Sequence, residues 1–355
     1  YIANKKMMTT ITKKKYYQLD HIWRTAIKLN GSVVLWKSPR ENDTNLLIDL
    51  SSEIADSKTK IRASDMGFLI SPFRNNSGKN TFFLKADALF KSKNNKKWEL
   101  VNGERISDID KSLKEYTLEN RPPTYHTRDQ SVDQISNEKK HFIDLVNKSI
   151  RYIKRNEFEK VVIARTLNKD LRENFDILTL FDRLSLAYQD AFVSLVSIPS
   201  KGTWLGATPE LLTEYSKKYF RTVSVAGTQQ FSNDKNLSDA AWTQKEIREQ
   251  AMVSRYIVDQ FKKIRLREYI ETGPHSIRAG NMIHLKSEFS VDLKNKNFPG
   301  LGAIMTNLLH PTSAVCGMPK LSALQFIEQN ENLNRGLYSG YLGPVNMDGI
   351  SKLYV

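Results

Sequence analysis

Short apolar runs broken by polar turns fill residues 1–135, and no other feature constrains the fold as much. "GSVVLW", "NLLIDL", "GFLISPF" and "NTFFLKADALF" are each about one strand long, and stretches rich in Asn, Ser and Lys separate them. From residue 136 onward such runs interleave with amphipathic helical stretches. "SNEKKHFIDLVNKSIRYIKRNEF" places Phe142, Leu145, Val146, Ile150 and Ile153 on one helical stripe that Ser136 can cap, and "KVVIARTL" follows as a strand. "FDILTLFDRLSLAY" predicts a helix, "DAFVSLVSIP" a strand, and "GTWLGATPELLTEYSKKYFRTVSVAGT" strands joined by turns. "SDAAWTQKEIREQAMVSRYIVDQFKKI" predicts the longest helix, with Ile247, Val253, Ile257, Val258 and Phe261 near one face. "NMIHLKSEFSVDL" predicts a further strand and "LSALQFIEQNE" a helix. Strand pairs mixed with helices, without strict alternation, predict an α+β arrangement of sheets covered by helices. Proline-broken "ENRPPTYHTRDQSVDQ" marks a connection between residues 1–135 and 136–355.

Several function classes recede on composition. No apolar run approaches the roughly 18 to 20 residues of a transmembrane helix, and the basic N-terminus lacks the apolar block of a secretory signal. The first residue is Tyr1 and not Met, so the chain is expected not to be a clean full-length product. One cysteine, Cys316, allows no internal disulfide and fits a reducing cytoplasm. The net charge of +15 comes from 54 Lys+Arg against 39 Asp+Glu. Those lysines are scattered among Asn, Ser and Glu without a nucleic-acid signature, so they read as solvated faces, compatible with attraction of a small anionic substrate.

There is no phosphate-cradling loop, paired-cysteine metal site or nucleophile elbow, and the six histidines are dispersed. Carboxylates and lysines remain. Lys160 opens the apolar run of "FEKVVIART", and a lysine is rarely buried without a partner; the plain alternative is a strand end with its ammonium in water. Glu210 follows a proline in "GATPELL", where partial desolvation would raise its pKa and suit a general acid; the alternative is an exposed turn. Glu246 and Glu249 lie one helical turn apart in "KEIREQ", hard oxygen donors suited to Mg²⁺, although neighbouring Lys245 and Arg248 also fit a solvated charged face. His284 alternates with apolar neighbours and reads locally as a core histidine. "LHPTSAVCGMPK" suits a rigid loop with Cys316 as a small buried residue.

In chain order "FEKVVIAR", "GATPELL", "VAGT", "KEIREQ", "HLKSEF", "LHPTSAVCGMPK" and "NRGLYSGYLGPV" resemble the chorismate-utilising enzymes. That family includes isochorismate synthases, salicylate synthases, anthranilate synthase component I and aminodeoxychorismate synthase component I. The resemblance implies a single large α+β domain in which two packed antiparallel sheets are covered by outer helices. Residues 1–135 would be its variable N-terminal part, mostly strands, and 136–355 its chorismate-binding catalytic region.

It further implies Lys160 as the base acting on water and Glu210 as the acid, with Glu249 and Glu246 on Mg²⁺. Ala226, Gly227, Thr228, His284 and Tyr338 would contact substrate. Ala226 stands where the aminodeoxychorismate branch has a lysine, which argues against that branch. The implied activity is isochorismate synthase, feeding menaquinone, siderophore or salicylate synthesis. Salicylate synthase, anthranilate synthase component I and an inactive or truncated chorismate-binding remnant stay open. Gln250 replaces the histidine of many relatives, and the chain ends at "GISKLYV". Relatives continue there into a segment with the second metal glutamate and another lysine, so truncation is expected. The expected partner is chorismate, with no nucleic acid and no membrane, for a cytoplasmic monomer.

Overall fold

The computed structural model describes residues 16–51, 55–56, 65–74, 80–93, 96–103, 105–114, 121–127, 138–199, 201–231, 236–279, 282–294 and 298–355. Ser136, the expected helix cap, and the boundary at residues 135–136 lie outside the described residues.

Two antiparallel sheets carry the fold. The first has seven strands, ordered Tyr16–Tyr17, Lys97–Asn102, Ala88–Lys93, Asp43–Asp49, Ser32–Lys37, Phe192–Ile198 and Gly202–Thr208. The second has nine, ordered Ile270–Ala279, Met282–Asp292, Tyr219–Gln230, Leu211–Tyr215, Ser351–Tyr354, Tyr341–Val345, Gly67–Ser71, Phe82–Lys85 and Ala55–Asp56. Strands from before residue 135 enter both sheets, so the early apolar runs are part of the same body as the later ones.

Alternation along each strand sorts the side chains into layers. Val223 and Val225 face the space between the sheets with Val34, Trp36, Phe68 and Phe192, where the Phe192 and Tyr354 rings stack 4.1 Å apart. Phe220 and Phe289 face the other way, under Tyr256, Ile257 and Phe261 of the Gln244–Lys263 helix and Leu301 and Met305 of the Leu301–Leu309 helix. The outer face of the first sheet is covered by Ile22 and Trp23 of the Leu19–Lys28 helix and Phe181 of the Ile177–Ala187 helix. The α+β class and the packed-sheet architecture are as expected. No helix among the described residues is long and apolar enough to cross a membrane.

Three local expectations are corrected. The Glu138–Lys154 helix docks through Leu145, Ser149 and Tyr152, because the Phe158 and Phe326 rings meet Tyr152 from that side. Ile150 and Ile153 are left 45% and 38% exposed. "KVVIARTL" forms a strand only at Lys160–Val161, paired with Gly317–Met318. Beyond it the backbone is satisfied by other groups: Val162 N donates to Cys316 O, Val162 O accepts from Arg335, and Ala164 N donates to Glu331. Ile247 is 44% exposed, while Val253, Ile257 and Phe261 carry the buried face of their helix.

Candidate active site

Lys160 is not a strand end in water. Its backbone pairs with Met318, and its ammonium, 20% exposed, donates to Glu249 Oε1 at 3.0 Å. The partner comes from the second turn of the Gln244–Lys263 helix, which lies across the second sheet.

Glu210 follows Pro209 at the end of the Gly202–Thr208 strand. Its backbone N donates to Thr208 Oγ1 at 3.2 Å and its backbone O accepts from Val355 N at 3.0 Å, so the turn is held from both sides. The carboxyl accepts from Thr312 Oγ1 at 3.0 Å and borders a pocket lined by Leu212, Val253, Tyr256 and Leu309. The residue keeps some accessible surface, but the enclosure of its carboxyl pushes the pKa up to about 7. The Thr312 hydrogen bond and then the Lys160 charge oppose that rise, which places acid and ammonium in one electrostatic neighbourhood.

Gly227 forms a bulge in the pairing of Tyr219–Gln230 with Met282–Asp292. Its φ of 68° lies in the left-handed region, and a Cβ there would stand 3.0 Å from Glu246 Cβ, so glycine lets the strand approach the helix. The next residue, Thr228, pairs with His284, and their Oγ1 and Nδ1 atoms are 3.0 Å apart. Burial lowers the His284 pKa, opposed by a hydrogen bond to the Gly227 backbone, which favours a neutral ring. His284 is thus half-buried at the site and not a core residue.

Glu246 and Glu249 do not act as a pair here. Glu246 closes a capping box, accepting from Thr243 N at 3.0 Å and from Thr243 Oγ1, and the hydroxyl bond chiefly lowers its pKa. The Thr-x-x-Glu spacing at 243–246 carries that signal in the sequence. Among the described residues no group of three or more His, Cys, Asp or Glu gathers as a metal site. Ala226 is buried in its strand, and Tyr338 is 57% exposed and joins none of these contacts. Gln250 is buried with its Nε2 donating to Ser224 Oγ at 2.8 Å and Ser287 Oγ at 3.3 Å, while its Oε1 has no partner.

Sequence reasoning gave Thr312 no role, although among the described residues it is the side chain that donates to the Glu210 carboxyl. It also missed the buried Arg335–Glu331 pair behind Lys160, with Arg335 Nε donating to Glu331 Oε1 at 2.6 Å.

A family model described as "Chorismate binding enzyme" matches residues 9–355. The chain belongs to this family. Isochorismate synthase EntC of Escherichia coli is 26% identical over 232 residues, 63% of this chain and 59% of that protein. The chloroplastic isochorismate synthase 2 of Arabidopsis thaliana is 27% identical over 263 residues, 69% of this chain and 46% of that protein. Anthranilate synthase component 1 of Methanothermobacter thermautotrophicus is 23% identical over 256 residues. The chain therefore spans less than two-thirds of the length of these curated relatives. The structure of MenF, the menaquinone-specific isochorismate synthase of E. coli, superposes with a TM-score of 0.70 at 17% identity, over 96% of this chain and 83% of that one. As a chorismate-binding enzyme, the chain uses its early strands as part of the family fold, since the match begins well before residue 135.

Proposed function

We propose that this chain is an isochorismate synthase, adding water at carbon 2 of chorismate with loss of the carbon 4 hydroxyl. One observation carries the proposal: Glu210, a carboxyl that burial raises to about 7, lies within the field of the Lys160 ammonium. An acid and a base of those types suit a reaction that takes a proton from one oxygen and gives a proton to another. Water loses a proton to the neutral Lys160 amine as its oxygen bonds to carbon 2. The ring double bonds shift, the bond from carbon 4 to oxygen breaks, and Glu210 supplies the proton with which the hydroxyl leaves as water. One water enters and one departs, so the product is an isomer of the substrate. Lys160 serves as base only after its ammonium has left Glu249 and given a proton to solvent, so the ion pair opens and the amine is deprotonated before water is activated.

Gly227 and Thr228 would hold the ring carboxylate through backbone and hydroxyl groups, and the neutral His284 beside them would orient the ring. Ala226 offers no amine for a covalent lysine route, and Lys160, as a base acting on water, favours water over ammonia as the nucleophile. Glu249 and Glu246 would hold Mg²⁺, an ion that accepts one or two carboxylates and keeps several waters. Glu249 fits such an ion, since its carboxylate already accepts a cation, the Lys160 ammonium at 3.0 Å. The Glu246 carboxylate closes the capping box on Thr243 and would have to leave it to join. When bound, Mg²⁺ would supply positive charge to anchor the substrate carboxylate.

Incubated with chorismate and Mg²⁺, the protein is expected to yield isochorismate without salicylate when products are separated by chromatography. Accumulating salicylate and pyruvate would instead place it among the salicylate synthases.

A further inference from the structure

One loop touches both the acid and the base. It leaves the Leu301–Leu309 helix, and its Thr312 donates to Glu210 Oε1 at 3.0 Å. Further on, Gly317 and Met318 pair with Val161 and Lys160, and Cys316 O accepts from Val162 N at 2.8 Å. A Cβ on Gly317, whose φ is 148°, would lie 2.2 Å from the Lys160 carbonyl oxygen, so the close pairing requires glycine. Lys320, at the start of the following helix, closes the loop upon itself. Its Nζ donates to Leu308 O at 3.1 Å and to His310 O. These carbonyls sit at a helix C-terminus, where intrahelical partners run out and partial negative charge gathers. Tyr256 OH donates to Leu308 O at 3.0 Å and Leu309 O at 3.1 Å, and His310 Nε2 donates to Phe73 O at 3.1 Å.

We infer that Lys320 is a positioning residue for the proposed reaction: by tying the Leu308 and His310 carbonyls it holds Thr312 against Glu210 and Met318 against Lys160. One residue, Pro311, separates the tied His310 from Thr312 and its hydroxyl. Lys320 has no carboxylate partner among the described residues, so its partly buried charge is directed at carbonyls alone. Burial chiefly pulls its pKa down to about 8, with Lys263 adding to the fall and Cys316 opposing it, so the ammonium is charged at neutral pH. Glu210 in turn faces Thr312 from the loop and Lys160 from the strand beside it, so its protonation reports on the loop.

The inference rests on Glu210 and Lys160 being acid and base, and its test is made without chorismate. Protonation of Glu210 is followed across neutral pH by the infrared carboxyl band that Glu210→Gln removes. Lys320→Met and Thr312→Val are each expected to raise the titration by about one pH unit, the value of one hydrogen bond to a carboxylate. The double variant should shift no further, and Lys320→Arg should titrate as the wild type. Should Lys320→Met fail to fold, Lys320→Gln, which keeps a donor but no charge, takes its place with a smaller upward shift expected. An unshifted titration in the Lys320 variants, or shifts that add in the double variant, would overturn the inference. Shifted titrations in a protein that leaves chorismate unchanged would keep the positioning role and remove the proposed activity.

Discussion

Lys160 Nζ and Glu249 Oε1 stand 3.0 Å apart and join two motifs separated by 89 residues of chain. The ammonium is 20% and the carboxylate 35% exposed, so water screens the pair, and its worth is at most about 1 kcal/mol. A bond that weak can open during turnover. Any cation seeking Glu249 competes with Lys160 for it. Lys160→Ala should therefore abolish chorismate turnover yet bind Mn²⁺ about fivefold more tightly, the equivalent of that pair energy. A Mn²⁺ titration followed by electron paramagnetic resonance checks this, and unchanged or weaker affinity would contradict the competition.

Glu210 sets the pH dependence. The acid form is the one that donates, and its pKa is about 7, so the infrared carboxyl band of Glu210 should persist in mild acid and be lost as pH rises through that value. Glu210→Gln should abolish turnover at every pH. A Glu210 carboxyl band already lost near the ordinary 4.5 would remove Glu210 as the acid.

The same burial costs stability. Glu210 is raised from its ordinary 4.5 in the fold, so the folded state resists ionisation that the unfolded chain accepts. The cost is absent below the ordinary value, grows as pH rises towards 7 and is complete above it. Glu210→Gln should therefore stabilise the protein by about 2 to 3 kcal/mol in mildly alkaline urea unfolding, and by little in acid. Equal effects at both ends of the pH range would show that the carboxyl is not held desolvated.

Arg335 and Glu331 form a pair with side chains 3% and 2% exposed, and they also hold the backbone after Lys160 at Val162 O and Ala164 N. Removing one partner leaves a buried charge unpaired. Glu331→Ala should cost about 3 to 5 kcal/mol in urea unfolding. A loss below about 1 kcal/mol would mean that water reaches the pair.

The α+β class was legible because central strands such as Phe192–Ile198 are apolar runs of strand length bounded by turns, while the packing of two sheets was implied only by the family resemblance. The Ile270–Ala279 strand was not, because it is an edge strand, exposed along most of its length and lacking apolar alternation. The direction in which the Glu138–Lys154 helix docks was also hidden, since Tyr152 competes with Ile150 and Ile153 and the Phe158 and Phe326 rings decide the outcome. Within the site, Lys160, Glu210 and Glu249 could each be named from motifs, but their joining depends on strand pairing and helix packing across long separations. Thr312 escaped because its hydroxyl acts through a loop whose shape no local pattern encodes.

Oxygen-isotope transfer tests the central claim most directly. Chorismate turned over by the protein in water enriched in heavy oxygen should give isochorismate carrying the label in its carbon 2 hydroxyl, as Lys160-activated attack requires. Isochorismate with an unlabelled carbon 2 hydroxyl, or no isochorismate from folded protein supplied with Mg²⁺, would contradict the account.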